Sequence, residues 1–302
     1  MATGLYEREP VFAGAVDEVL DLFGDPVIRA EWLGGADLDD VRRAQPLLFA
    51  VDYALGRTVM SWGVRPIAMV GHSAGEVVAA TLAGVFTLAE AVTLVRERVR
   101  AAVKIPSGGM LAVAASVPQL EPYLVGDVAI AAVNAARQTM LAGSDAPLAR
   151  VRAQLDAEDF TVRPVPATTP FHCGAMAPAV QEAERTFRAR PRPPVVTVYS
   201  GYTGEILTVE EAMSPNFWAR QLTDTVHFGP ALDRLLDDHN VVLVEAGPGQ
   251  TLTSFARRAK AVRTGASAVL PLLPPGPGAP SGDWACVHSV MVALRTEGYE
   301  LS

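Results

Sequence analysis

The sequence predicts an α/β protein: an α/β-hydrolase-like parallel-sheet core with an inserted ferredoxin-like subdomain. Three observations predict it. Short apolar runs alternate with helical stretches over most of the 302 residues, the pattern of a parallel sheet covered by helices. The run Ile67-Ala-Met-Val-Gly-His-Ser-Ala-Gly-Glu76 carries an apolar strand into a helix-forming sequence through Gly-x-Ser-x-Gly, a nucleophile elbow in its required strand-to-helix context. Between Met110 and Ala167 the rhythm becomes β-α-β-β-α-β, the ferredoxin-like order. The expected units are therefore a large α/β catalytic part over 1–107 and 169–302, and a small one over 108–168.

The elements follow in chain order. Val11 to Phe23 and Gln45 to Trp62 carry apolar residues at helical spacing, and the second leads through Gly63-Val-Arg-Pro66 into the elbow strand. Glu76 to Ala83 begins the helix after the serine. Thr87-Leu-Ala-Glu90 has the form of a capping box opening a helix towards Val103, and Pro106-Ser-Gly-Gly109 ends that unit. In the insertion, β-type runs at Met110–Ala115, Val128–Val133, Thr139–Ala142 and Thr161–Val165 are joined by helical stretches near Val117–Leu124 and Ala146–Glu158. Ala177–Ala189 reads as helix, Val195–Tyr199 as strand, and Phe217–Leu222 and Phe228–Asp238 as helices. Val241–Val244 is another buried strand, followed by Glu245-Ala-Gly-Pro-Gly249 and a helix through Lys260. Pro274 to Gly282 reads as a loop and Trp284 to Leu294 as the last helix.

Composition narrows the class. Half of the residues are apolar, enough for one large core or a core with an insertion. A net charge of −8 argues against nucleic-acid binding. Cys173 and Cys286 have neither metal nor redox spacing, so reduced thiols and a cytoplasmic location are expected. The N-terminal residues lack the basic start and apolar run of a secretory signal, and no stretch approaches the length of a membrane span.

The elbow is the centre of the chemistry. A serine on a sharp strand-to-helix turn is held in a strained backbone, and glycines two residues to either side remove side chains that would collide there. The N–H groups opening the next helix lie near a developing oxyanion. Such a serine needs a base, and among five histidines His172 stands out because Thr168-Thr-Pro-Phe-His-Cys173 returns the insertion to the core. His72 neighbours the nucleophile on a strand and so points to the other face; it is read as shaping the elbow or its entrance. His227, His239 and His288 read as surface or packing residues.

Gln45-Pro46, Gly71-His-Ser-Ala-Gly-Glu76, Arg98, Asn134, Phe171-His172, Arg220-Gln-Leu222 and Glu245-Ala-Gly-Pro-Gly249 stand in one order and at one spacing along the chain. In this they resemble malonyl-CoA:acyl-carrier-protein transacylases and the acyltransferase domains of modular polyketide synthases, over almost the whole chain. The resemblance implies that Ser73 takes an acyl group from coenzyme A, with His172 as general base and then general acid. It implies that a backbone carbonyl of Gln221 orients the histidine and that the Ala74 N–H serves the oxyanion. Arg98 matches the arginine that grips the free carboxylate of a malonyl-type group. Phe171, which crowds the space of a 2-methyl group and favours malonyl, is a further substrate-binding position, as are His72 and Asn134. The partners implied are malonyl-CoA or a related acyl-CoA and an acyl carrier protein, in polyketide or fatty-acid biosynthesis. No cofactor or metal is implied, the coenzyme A thioester being substrate.

The sequence also departs from the family. Thr169-Pro170, Ala74, Val99 and Ala102-Val103 replace the residues usual around the pocket, and a single methyl is discriminated by only about 1–3 kcal/mol. Family members begin with a β-strand ending in Gly-Gln-Gly-x-Gln, which supplies a second oxyanion N–H; here the chain opens on the segment that usually follows it. The expectation is either a start further upstream or a truncated form that is slow, unstable or completed by another segment, with apolar faces and open strand edges where the strand is missing. No ketosynthase or carrier sequence flanks the chain, which reads as freestanding or as a domain excised from a longer one. Arg257, Arg258, Lys260 and Arg263 form a basic cluster suited to coenzyme A phosphates or an acidic carrier surface, or a merely solvated helix face. Three other readings compete: a hydrolase that clears acyl groups from carriers, an esterase whose triad acid is Asp127, Asp145, Asp156 or Asp159, and a catalytically silent carrier-docking protein.

Overall fold

The elbow rises from the end of a three-residue strand, and the rest of the fold is arranged around that point. The computed structural model describes residues 1–36, 39–276 and 278–301. Among them the chain forms strands β1 (Ala68–Val70), β2 (Gly108–Val113), β3 (Ala129–Ala135), β4 (Gln138–Ser144), β5 (Val162–Val165), β6 (Thr197–Tyr199), β7 (Val242–Glu245) and β8 (Ala268–Pro271). β1 pairs in parallel with β6, Ala68 opposite Thr197, and β7 pairs in parallel with β8, Val242 opposite Ala268.

The sequence predicts one parallel sheet; the structure has two parallel pairs with a gap between them. An apolar slot of about 420 Å³ occupies the gap, lined by Ala68 and Val70 of β1, Val242 and Val244 of β7, and Val78 and Leu82 of the helix Ala74–Leu82. This slot explains an anomaly in burial. Parallel strands covered by helices on both faces are normally buried throughout, yet all three residues of β1 and all four of β8 are only half-buried. Asp52 also borders the slot, and its Oδ1 is buried without a hydrogen-bond partner. Burial, with the charge of Glu245 second, holds that carboxyl well above the usual carboxylate range.

The insertion closes as expected. β3-β4-β2-β5 form one antiparallel sheet in the ferredoxin-like order, and helix Asp145–Ala157 packs Leu148, Val151 and Leu155 onto Leu111, Val113 and Leu141. β3 also stitches the insertion to the large unit: Val133 N donates to Val226 O at 2.7 Å and Val226 N to Ala131 O at 2.9 Å. That seam brings Asn134 to the elbow.

Helices follow local signals. Thr87 caps Leu88–Ala102, accepting from Glu90 N at 3.3 Å, while the Glu90 carboxylate accepts from Thr87 N at 2.8 Å. The helix expected from Gln45 begins earlier, at Val41, where the Asp40 carboxylate accepts from Arg42 N at 2.8 Å; it runs to Ser61 through Pro46. It is the central strut of the main core, packing Leu47, Phe49 and Leu55 with Phe12, Trp32 and Trp218.

Several elements differ from expectation. The helix expected to run through Lys260 is two pieces, Thr251–Ala256 and Lys260–Arg263. The helix expected to reach Ala189 stops at Thr186, and the last helix starts four residues early, as Pro280–Thr296. Pro277, in the loop expected before it, lies outside the described residues. Helices Pro26–Leu33 and Val209–Ala212 and strand β8 are further elements of the fold. No helix among the described residues is long and apolar enough to cross a membrane.

Candidate active site

Ser73 is positioned by its backbone. It leaves β1 at φ +53°, ψ −117° and directly precedes helix Ala74–Leu82; such a conformation costs a residue with a side chain about 1–3 kcal/mol. Gly71 permits the bend. A Cβ on it would stand 2.3 Å from the backbone N of Glu76 and 2.3 Å from the carbonyl carbon of Gly75. Gly75 does not play the matching role expected from the sequence: a Cβ there meets nothing within 4 Å, because the residue opens on the slot.

Ser73 Oγ lies 2.7 Å from His172 Nε2. The return of the insertion delivers the histidine at φ +66°, fixed by its own N–H donating to Leu222 O at 2.8 Å. His172 Nδ1 faces the backbone carbonyl of Asp224 at 3.0 Å. A carbonyl can only accept, so Nδ1 carries the proton and the Nε2 lone pair faces the serine hydroxyl. The expectation placed this carbonyl on Gln221. The turn that follows helix Pro215–Arg220 instead carries Asp224 O into line, with the Gln221 carbonyl a second, weaker contact. With Nδ1 taken by the Asp224 carbonyl, none of the four carboxylates considered for a triad bonds the histidine; Asp127 accepts from Ser144, Asp145 from Ser107, and Asp156 pairs with Arg152 at 3.6 Å, while Asp159 makes no contact with His172 among the described residues. Asp224 turns its own carboxylate to Arg220 at 3.0 Å. The esterase triad is therefore not formed.

Burial, and next the neighbouring His72, push the His172 imidazole down to about 3. It stands neutral at neutral pH, as a base must.

Arg98 reaches the same centre from helix Leu88–Ala102. Its Nη2 donates to Trp218 O at 2.5 Å and to Gln221 Oε1 at 2.8 Å, while its buried Nε has no partner. Among the described residues it makes no ion pair. Leaving a buried donor unmade costs about 1–3 kcal/mol, more when charged, so the group is built for an acceptor supplied from outside. Gln221 thus acts mainly through its side chain, whose Nε2 donates to Glu76 Oε1 at 3.3 Å.

The remaining residues assemble around this core. His72 Nε2 and Asn134 Oδ1 are 2.8 Å apart, and the His72 ring packs 5.4 Å from Phe228, tying the insertion to the elbow. Phe171 packs against the apolar cluster that includes Ala101, Ala102, Met176, Ala219 and Leu222, its ring 6.2 Å from that of His172. Ala74 is the first residue of the elbow helix; the next two N–H groups, of Gly75 and Glu76, donate to His72 O at 2.9 Å and Ser73 O at 3.0 Å, which leaves the Ala74 N–H for an oxyanion. Arg257, Arg258, Lys260 and Arg263 are exposed, the first two on the turn between the two short helices that follow β7 and the last two on the second helix. The thiols of Cys173 and Cys286 are free, and the described residues contain no cluster that could hold a metal ion. Sequence reasoning missed the Asp224 carbonyl, and it missed Tyr202, which a turn after β6 brings to within 6.1 Å of the His172 ring.

Residues 1–279 match the acyl transferase domain family. The chain belongs to that family. It is 39% identical over 264 residues to a phenolphthiocerol/phthiocerol polyketide synthase protein of Mycobacterium tuberculosis, an alignment that covers 85% of this chain and 18% of that protein. This acyl transferase domain thus spans less than a fifth of that relative's length. Its fold superposes on the acyltransferase domain from the second module of the salinomycin polyketide synthase with a TM-score of 0.86 at 30% identity, covering 95% of this chain and 69% of that one. On the acyl transferase domain of SpnD in complex with 2-(pent-4-yn-1-yl)malonyl the TM-score is 0.91 at 28% identity, covering 99% of this chain and 73% of that one.

The depressed His172 has a direct signature. Between its ordinary value of about 6.5 and about 3, the unfolded chain binds a proton here that the folded chain refuses, so this residue's contribution to stability is lost as pH falls through that window. Histidine side-chain NMR should show His172 neutral and Nδ1-protonated down to about pH 5; a titration midpoint near 6.5 would contradict the buried dyad.

Proposed function

We propose that this acyl transferase domain moves a malonyl-type acyl group from coenzyme A, through an ester on Ser73, to the phosphopantetheine thiol of an acyl carrier protein. The observation that carries the reading is the unpartnered Nε of Arg98, a buried cation beside the reactive serine that makes no ion pair among the described residues. A carboxylate at the far end of a short acyl group would satisfy it while the thioester carbonyl meets Ser73.

The residues present can carry out the steps in balance. His172 Nε2 takes the Ser73 proton as Oγ bonds to the thioester carbonyl carbon, giving a tetrahedral oxyanion for which the Ala74 N–H is the donor at the opening of the elbow helix. Collapse breaks the carbon–sulfur bond, and the imidazolium returns its proton to the departing coenzyme A thiolate. The carrier thiol repeats the sequence in reverse: His172 takes the thiol proton, sulfur attacks the ester carbonyl, and Ser73 leaves with the proton restored. The Asp224 carbonyl holds Nδ1–H throughout.

Intact-protein mass spectrometry after separate mixing with malonyl-CoA, methylmalonyl-CoA and acetyl-CoA tests this. A malonyl adduct on the native chain that is absent from Ser73→Ala supports the reading; a folded sample that takes up none contradicts it.

We further infer that the slot between β1 and β7 takes an extended apolar segment of polypeptide as a middle strand. The half-buried β1, the unpartnered Asp52 Oδ1 and the open space beside Gly75 support this, since a strand there would meet ladder partners on both sides and bring backbone N–H groups to the Asp52 carboxyl. Fusing an apolar β-segment ahead of Met1 should raise the melting temperature by several degrees and speed Ser73 acylation. Unchanged melting and unchanged rate would contradict the inference.

A further inference from the structure

Tyr202 occupies a place that neither the elbow nor the arginine accounts for. It stands on the turn after β6, and a single buried carboxyl sets that turn. Glu76 Oε1 accepts from Ser200 Oγ at 2.8 Å, Glu76 Oε2 from Gly201 N at 2.6 Å, and Ser200 Oγ in turn accepts from Tyr202 N at 3.0 Å. The same Glu76 receives Gln221 Nε2, whose partner oxygen holds Arg98. The tyrosine and the arginine are thus registered against one group, which burial pushes up to about 8.

The ring is wedged rather than free. It packs edge-on against Phe217, centroids 6.5 Å apart at 84°, and lies 6.1 Å from the His172 ring, tilted by 46°. Its hydroxyl is close enough to Ser73 and Arg98 for both to influence its charge. Burial keeps the phenol protonated far beyond neutral pH. Nucleophile, base and carboxylate anchor therefore surround this one side chain.

A malonyl group esterified to Ser73 with its carboxylate on Arg98 places its central carbon between the two, along the line that Tyr202 flanks. We propose that Tyr202 is a specificity-determining residue, its ring forming the wall that limits the substituent on the central carbon of the dicarboxylic acyl group. The inference rests on the proposed transferase reading and names what its site selects. It assigns to Tyr202 a steric role that the family resemblance places on Phe171, which packs against the apolar cluster of Ala101, Ala102, Met176, Ala219 and Leu222.

The test is the ratio of kcat/KM for Ser73 acylation by malonyl-CoA and methylmalonyl-CoA, a quantity that does not change with the fraction of folded enzyme. Tyr202→Val should shift the ratio towards methylmalonyl by about 10- to 200-fold, the range open to one methylene in an apolar pocket. Tyr202→Phe, which keeps the ring, should leave the ratio within about twofold of the native value, and Phe171→Ala should move it less than Tyr202→Val does. A ratio unchanged in Tyr202→Val, or shifted equally by Tyr202→Phe, overturns the assignment while leaving the acyl-serine chemistry intact. Failure of the native chain to form any Ser73 adduct would instead remove the transferase reading, and this inference with it.

Discussion

The backbone of Ser73 is the constraint on which the other functional distances depend. Its positive φ turns the side chain out of the line of β1, and only the missing side chain of Gly71 lets the strand and the following helix come close enough for that turn. With Ser73 fixed, His172 Nε2 meets it at 2.7 Å from the insertion side, while Glu76, one turn into the elbow helix, reaches across to the turn after β6 and to Gln221. Strain stored at one residue is offset by packing and hydrogen bonds on every side of it, as expected of backbone outliers at functional sites.

The electrostatics follow from the same crowding. His172, Glu76, Arg98 and Tyr202 are all shifted towards their neutral forms, with loss of water the largest cause for each. The site therefore holds one cation in need of an anion and one imidazole ready to take a proton. A dicarboxylic thioester offers what both lack: a carboxylate for Arg98 and an electrophilic carbon for Ser73. Orientation by a backbone carbonyl rather than an aspartate keeps a second negative charge away from that carboxylate.

Most of the fold was legible in the sequence because its signals are local. The elbow, the Thr87–Glu90 capping box, the helix Phe228–Asp238 and the β-α-β-β-α-β order each lie within a few dozen contiguous residues. Two short helices carried readable signals that periodicity alone passes over: Asp25-Pro26, whose carboxylate accepts from Val27 N, and the Thr208–Glu211 capping box. Strand β8, four half-buried residues, has no such punctuation. The split of the parallel sheet was not legible as geometry, since it depends on what stands between β1 and β7. Nor was the Asp224 carbonyl, because a backbone acceptor has no residue signature, nor Tyr202, thirty residues beyond His172 and brought back only by the pairing of β6 with β1.

The central claim is that Arg98 makes this serine selective for an acyl group with a free carboxylate. The most direct test is kcat/KM for Ser73 acylation by malonyl-CoA and acetyl-CoA, in the native chain and in Arg98→Ala. The account predicts a strong native preference for malonyl that falls by about 30-fold or more in the variant, since truncating one partner of a buried charge pair costs about 2–5 kcal/mol. A preference that survives the substitution, or acetyl-CoA reacting as well as malonyl-CoA in the native chain, would contradict it.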